Sequence, residues 1–487
     1  MTQIARGVLS FKLEVTDSPR IDVTAYAGLP LVLEQARVAL RPRLYRELRD
    51  GLGYRSAQTV RRHVESTLVL LCAGGDCIDD LRTLRADAGL QELIGFKLSS
   101  PTQLKEFLYR FHQDPEGNAL SPAQDAELSQ PGKAQIRSEG PGLRTLAKLM
   151  AAIVERVQKL RPHDRATLDV DATIIEADKR NALLAYEGTR GYQPQMAFWA
   201  EQGMWVCDQF RDGNVPAEFD GRAFLQQAFA ALPASVKERR LRADSALYNE
   251  EALTWADQQG IQFAVSADMS EALSKAVKRL KESAWCPYRT LRAQECAEPE
   301  AEERQWADVE FIPAWTRNHK KQGETFRYIA IRVRSRQRDL FSDDAARWRH
   351  FAVVTNLRDW DGERLLRWHR EKQGSVEHGH GVIKCDLAGG TMPCSRFGAN
   401  AAWWRLNLLA HDLLELLKAE SLPDELHSLR PKALRFRLFN VAGRLLHGAR
   451  QLVLRLSASL PLAALYASAR EKLRTALREL AAVPSSP

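Results

Sequence analysis

The clearest alternation in the chain is TLDVDATI, residues 167–174. As a strand it sends Leu168, Val170, Ala172 and Ile174 to one face and Asp169, Asp171 and Thr173 to the other. One face suits a core. The other carries two adjacent acids, which are costly in a sheet unless an arginine, a lysine or a metal ion neutralises them.

Helical spacing dominates residues 20–115, in VLEQARVALRPRL, SAQTVRRHVESTLVLLCAG, CIDDLRTLRADAGLQELIG and SPTQLKEFLYRFHQ. Ser100 before Pro101 reads as a helix start. Surface arginines such as Arg61 and Arg62 suit either a DNA-binding bundle or a plain solvated helical region. Residues 114–142, rich in Pro, Gly, Ser and charge, read as a linker or long loop. A helix at LRTLAKLMAAIVERVQKL leads into the acidic strand.

Beyond it, QMAFWAEQ and GMWVCDQFR form two strand-like runs turning at Gly203. DGRAFLQQAFAALP predicts an amphipathic helix, RRLRAD a strand ending on Asp244, NEEALTWADQQG a helix and IQFAVSA a strand. Three strands in hairpin order, then helix, strand, helix and strand, describe an α/β sheet of mixed direction with the element order of a ribonuclease H-like fold. Residues 285–350, with FRYIAIRVRSRQR, predict a β-rich insertion, and FAVVTN resumes a core strand. On the basic strand, Tyr328, Ala330, Arg332 and Arg334 share a face, which fits either a DNA-facing strand or a charged edge that avoids aggregation. Trp315 is either a core residue or a platform for stacking on a base. From 396 to 487 the pattern is helical, including KALRFRLFNVAGRLLHGARQLVLRL, up to a loose VPSSP tail.

Composition narrows the classes. An apolar fraction of 45% and a charged fraction of 27% are ordinary for a globular protein. Lys plus Arg exceeds Asp plus Glu, 70 against 62, a basic balance compatible with nucleic acid. No window is apolar enough for a membrane helix, and the start lacks a signal-peptide core. Seven scattered cysteines without a CxxC pair point to a reducing cytoplasm rather than a zinc ribbon or a disulfide framework.

Three acids recur at element ends: Asp171, Asp244 in LRADSALYN, and Glu377 in WHREKQGSVEHGHGVIK. Two aspartates and a glutamate suit a hard divalent cation that keeps several waters and leaves room for phosphate. Each also has a plainer explanation. Asp244 could cap the next helix, Glu377 could be a solvated residue paired with Lys384, and Asp169 competes with Asp171. His380 reads as structural more readily than as a metal ligand.

The runs LDVDAT, LRADSALYN and WHREKQGSVEHGHGVIKCDLAGGTMPCSRFGANAAWW resemble the DDE transposases of bacterial insertion sequences, in particular the insertion-sequence-1380 group. The N-terminal text LVLLCAGGDCIDDLRTLRADAGLQELIG is also similar, so the likeness spans about residues 25–415. The resemblance implies a ribonuclease H-like catalytic core split by a β insertion. The divisions would be 1–142 (helical DNA-binding region and linker), 143–284 and 351–395 (core), 285–350 (insertion) and 396–487 (helical region). It implies Asp171, Asp244 and Glu377 as the metal-binding catalytic acids, with Asp171 favoured over Asp169 because the acid stands two residues before Thr173. Relatives carry Tyr, Arg and Lys seven before, four before and seven after the glutamate, where this chain has Arg370, Gln373 and Lys384. Lys384 and Arg370 become phosphate contacts, joined by Arg332 and Arg334 as further DNA-binding residues. The implied activity is cutting at element ends and joining of 3′-hydroxyls to target DNA with Mg²⁺, for which Mn²⁺ can substitute. The implied partners are terminal inverted repeats, target DNA and a second copy of the chain, at the nucleoid. A nuclease without joining, and a non-catalytic DNA-binding regulator, are the rival readings.

Overall fold

The computed structural model describes residues 22–112, 134–179, 182–185, 187–289, 302–315, 326–335, 348–448, 451–457 and 462–482. Most of the expected linker and the VPSSP tail lie outside the described residues.

Among the described residues fifteen strands are numbered in chain order. β1 (Val23–Thr24) is followed by β2 (Arg165–Ala172), β3 (Ile175–Glu176), β4 (Leu183–Leu184), β5 (Arg190–Tyr192), β6 (Gln195–Trp199) and β7 (Met204–Gln209). Next come β8 (Glu238–Ala243), β9 (Gln262–Ala267), β10 (Cys286–Pro287), β11 (Glu302–Val309), β12 (Arg327–Ser335) and β13 (Arg349–Thr355). β14 (Gly443–Gly448) and β15 (Gln451–Arg455) close the set.

Nine strands form one mixed sheet in the order β10-β11-β12-β13-β9-β8-β2-β6-β7. β2 runs parallel to β8 and β8 parallel to β9, while the other neighbouring pairs are antiparallel. The strands of the expected insertion therefore extend this same sheet, through β12 and β13 onto β9. β12 is an interior strand, with Tyr328, Ile329 and Ala330 buried. A solvated edge is thereby ruled out for it.

β2 lies in the middle of the sheet and is covered on both faces. Leu168 and Val170 are buried on one side, and Asp169 is fully buried on the other. The period-2 pattern thus marked two different interiors, one apolar and one ionic, rather than core and solvent.

The helix Phe397–Ser421 threads the centre of the molecule, with Trp403 and Trp404 fully buried. A helix apolar nearly all round must be covered on every side. It packs on the helix Pro141–Leu160 and on the N-terminal helices Pro30–Ala39, Ala57–Ala73 and Pro101–Tyr109. The last of these begins as its sequence indicates: Ser100 Oγ accepts from Gln103 N, and the Gln103 side chain accepts from Ser100 N. One continuous core links these helices to the sheet. Inside it Arg405 is clamped by Asp208 and Glu139, tying the central helix to β7.

The C-terminal region departs from the expected helix. In KALRFRLFNVAGRLLHGARQLVLRL the helical part ends with Pro431–Leu434 and a π-helical turn, Arg435–Phe439, before the chain turns into the β14–β15 hairpin, which also pairs with β1. The cause is local. A Cβ on Gly443 would stand 2.7 Å from both Ala27 and Leu454. Gly443 and Leu445 are buried while Arg444 is exposed, an alternation that suits a strand. The helix Leu462–Ala482 then resumes the expected pattern.

Candidate active site

The site is built where β2 and β8 run side by side. Their parallel pairing extends from Arg165 opposite Glu238 to Val170 opposite Ala243, and the next residue along each strand is Asp171 and Asp244. Asp169 faces Arg242 on the preceding rung. The helix Lys372–Gly381 lies over this face and brings Lys372, Ser375, Glu377 and His380 to it. Gly379 permits the close approach, since a Cβ there would meet the Trp205 ring at 2.7 Å. His380 then stacks on Trp205, with ring centroids 5.6 Å apart and planes 2° from parallel.

The two neighbouring acids of β2 have different partners. Asp169 is held by Arg242 through a two-point fork, Nε to Oδ1 at 2.6 Å and Nη2 to Oδ2 at 2.9 Å. The Ser375 hydroxyl also donates to Asp169 Oδ2. Arg242 further donates through Nη1 to the Trp368 carbonyl and to Glu371, each at 2.7 Å. Burial raises the Asp169 carboxyl, and the Arg242 guanidinium opposes that rise. Every strong donor around Asp169 is thus engaged by the protein itself.

Asp171 sits closer to open space. Burial, and behind it the charges of Asp244 and Glu377, push its carboxyl up to about 6, while Lys372 pulls it down. Lys372 Nζ lies 3.4 Å from its Oδ2 and His380 Nδ1 lies 3.8 Å away. His380, pushed down to about 3 by burial, is neutral. Its Nε2 is buried without a hydrogen-bond partner among the described residues.

Asp244 and Glu377 line one cavity of about 560 Å³, together with Lys372, Arg370, Gln373, His369 and, across from them, Ile331, Val333 and Phe351. Asp171 adjoins this cavity through Lys372. Asp244 also caps the short turn Ser245–Leu247, its Oδ1 accepting from Ala246 N at 3.1 Å. That cap engages one oxygen, and among the described residues the other makes no side-chain hydrogen bond. His369, kept neutral by burial at about 4, donates from Nε2 to the Ala243 carbonyl at 3.2 Å, next to Asp244. Glu377 is exposed and makes no ion pair among the described residues. Its supposed partner Lys384 turns instead to the Ile174 carbonyl at 2.7 Å, from a π-helical turn Val382–Asp386. Burial lowers the Lys384 ammonium.

The basic residues divide. Arg370 is exposed on the cavity rim. Arg332 is 6% exposed, pairs with Glu282 at 2.6 Å and lies between the Trp285 and Trp348 rings, 4.4 Å from each. Arg334 pairs with Glu303 at 2.6 Å. Arg332 is thus a fastener inside the sheet extension rather than a surface cation. Trp315 packs against Tyr248 with centroids 5.1 Å apart.

Among the described residues no three His, Cys, Asp or Glu side chains stand as a ready-made metal cage. The donor set nevertheless fits a hard cation. Asp171, Asp244 and Glu377 offer only oxygens, and burial, with the charges of the other two acids behind it, raises the Asp171 carboxyl.

Lys372, Arg242 and Ser375 were not singled out in the sequence. Arg242 had a signal: in RRLRAD it shares strand parity with Asp244, so an arginine faces the same side as the acids.

The mixed sheet thus carries acids at the ends of two adjacent parallel strands, with a third acid on the covering helix. The match of a family model settles the class. The model described as "Transposase DDE domain group 1" matches residues 22–478, and the chain belongs to that family. No curated protein matches the chain. Among solved structures it is similar to one titled "Cryo-EM structure of piggyBac transposase synaptic complex with hairpin DNA", with a TM-score of 0.44 and 10% identity, covering 93% of this chain and 82% of that one. No helix among the described residues is long and apolar enough to cross a membrane.

Proposed function

We propose that this transposase cuts DNA at the ends of an insertion sequence and joins the freed 3′-hydroxyls to target DNA, using Asp171, Asp244 and Glu377. The observation that carries the reading is that Asp244 and Glu377 line one cavity, while Asp171, whose carboxyl feels the charge of both, adjoins it through Lys372. Supporting it, β7-β6-β2-β8-β9 follows the order and directions of a ribonuclease H-like sheet, with β10 to β13 inserted before the helix that bears Glu377. On this reading the divisions expected from sequence become a core interrupted by a sheet extension. The element belongs to the insertion-sequence-1380 group.

The three carboxylates are the groups that would hold Mg²⁺, or Mn²⁺ in its place. Bound there, a pair of such ions supplies activation of the attacking oxygen and stabilisation of the leaving one. The chain's own residues do the rest. Lys372 keeps Asp171 ionised and offers positive charge to the cavity. Arg370 faces the same opening and serves as a phosphate contact. His369, fixed on the Ala243 carbonyl, holds the end of β8 beside Asp244. Lys384 is held inward and acts on DNA only through the backbone it braces. Arg334, 41% exposed, keeps some surface for phosphate. The apolar wall of Ile331, Val333 and Phe351 gives a nucleotide an unpolar seat. Two element ends require two copies of the chain in the working complex.

The test uses the DNA that flanks the gene, labelled at its ends, with Mg²⁺ and a target plasmid. Joined products support the reading. Cut but unjoined ends make the protein a nuclease, and binding without cleavage makes it a regulator.

A further inference from the structure

Each proposed acid stands two residues beyond a member of one buried cluster. Asp169 precedes Asp171 on β2, Arg242 precedes Asp244 at the end of β8, and Ser375 precedes Glu377 on its helix. The three cluster members bond one another: Arg242 forks Asp169, and Ser375 donates to the same Asp169 carboxylate. The cluster is therefore a single joint between the three segments that carry the acids. Arg242 and Asp169 are 2% and 0% exposed, so water does not compete for the joint.

We infer that Asp169, Arg242 and Ser375 are positioning residues that set the register of the three acids for metal binding, an inference that rests on the proposed role of those acids. The geometry is direct on the strands. Residues two apart on a strand point the same way about 7 Å apart, so fixing Asp169 against Arg242 aligns Asp171 with Asp244. On the helix each residue turns about 100°, so the Ser375 contact fixes the rotation that aims Glu377. Stability alone does not account for the choice of residues, because apolar side chains of similar volume stabilise a core as well as a buried ion pair does. A bidentate fork supplies direction that apolar packing lacks. A second fastening, from Arg242 to the Trp368 carbonyl and Glu371, ties in the chain just before the helix.

Ser375→Ala removes one hydroxyl and leaves the Arg242–Asp169 pair intact, so it strands no charge. The probe is Mn²⁺ alone, titrated by calorimetry into the full chain, with the thermal unfolding midpoint measured beside it. Ser375→Ala is expected to weaken Mn²⁺ binding by about tenfold or more, as loss of an outer-shell partner does, with the chain still folding cooperatively and fully folded at the assay temperature. Ser375→Thr keeps the hydroxyl and restores binding. Glu371→Gln, at a half-exposed position that leaves folding unaffected, weakens binding in the same direction. Asp171→Asn is the control. If it abolishes Mn²⁺ binding while Ser375→Ala and Glu371→Gln bind like the wild type, the positioning role is overturned and the acid site stands. If Asp171→Asn binds like the wild type, or the wild type binds none, the acid site and the positioning role fall together.

Discussion

Lys372 Nζ lies 3.4 Å from Asp171 Oδ2, so a positive charge beside this carboxylate comes from the same helix that carries Glu377. Burial and two neighbouring carboxylates still keep Asp171 at about 6, above its ordinary 3.8. Between those values the folded chain holds a proton that the unfolded chain has lost. The contribution of this group to stability therefore falls as pH rises through the window. Divalent-ion binding has the opposite sign, because the ion competes with the proton. Mn²⁺ affinity should rise with pH up to about 6 and then level off, as calorimetry across about pH 5 to pH 8 would show. Lys372→Met should move that midpoint upward, and an unmoved midpoint would contradict the pairing.

The two acids of β2 should separate in a paired experiment. Asp169→Ala leaves Arg242 buried without its carboxylate and should cost about 3–5 kcal/mol in denaturant unfolding. Asp171→Asn removes a charge that its neighbours repel, so it should leave stability equal or slightly higher while abolishing cleavage. Equal unfolding curves for the two variants would contradict the division of roles.

Arg332 and Arg370 should also part company. Arg332→Ala loses its stacking between Trp285 and Trp348 and should cost about 1–3 kcal/mol of stability, with DNA affinity unchanged. Arg370→Ala should leave stability unchanged, weaken DNA binding, and lower the salt dependence of binding by about one unit of slope. Fluorescence anisotropy over a salt series and a denaturant titration read the two effects.

Gly379→Ala should destabilise the chain by about 1–3 kcal/mol, because the added methyl meets the Trp205 ring. It should also weaken Mn²⁺ binding, since the helix that presents Lys372 and Glu377 is pushed off the sheet. A stable variant with normal Mn²⁺ affinity would show that the close approach is not needed.

Much of the site was legible where one residue type can serve only a few purposes. The alternation of β2 and the strand RRLRAD were readable, and the structure places Asp171 and Asp244 one residue beyond the last paired rung of these two strands. The mixed direction of the sheet was readable from element order as far as β9. Sequence could not rank Asp169 against Asp171 on spacing, because both share a face. Their difference lies in which cation each meets across the sheet, a long-range fact carried by Arg242 and Lys372. Arg332 misled for a related reason. A basic residue alternating on a strand looks solvated until Glu282 and two tryptophans, all distant in sequence, are seen to enclose it. The β14–β15 hairpin was missed because RLLHGARQLVLRL carries leucines that fit a helical stripe. The close packing at Gly443 that favours a strand comes from Ala27, more than four hundred residues away.

The most direct test compares cleavage and DNA binding in the wild type, Asp171→Asn, Asp244→Asn and Glu377→Gln, on the gene's own flanking DNA with Mg²⁺. Loss of cleavage in all three variants with DNA binding and folding retained is the predicted result. Cleavage at the wild-type rate in any one of them would contradict a shared three-acid site.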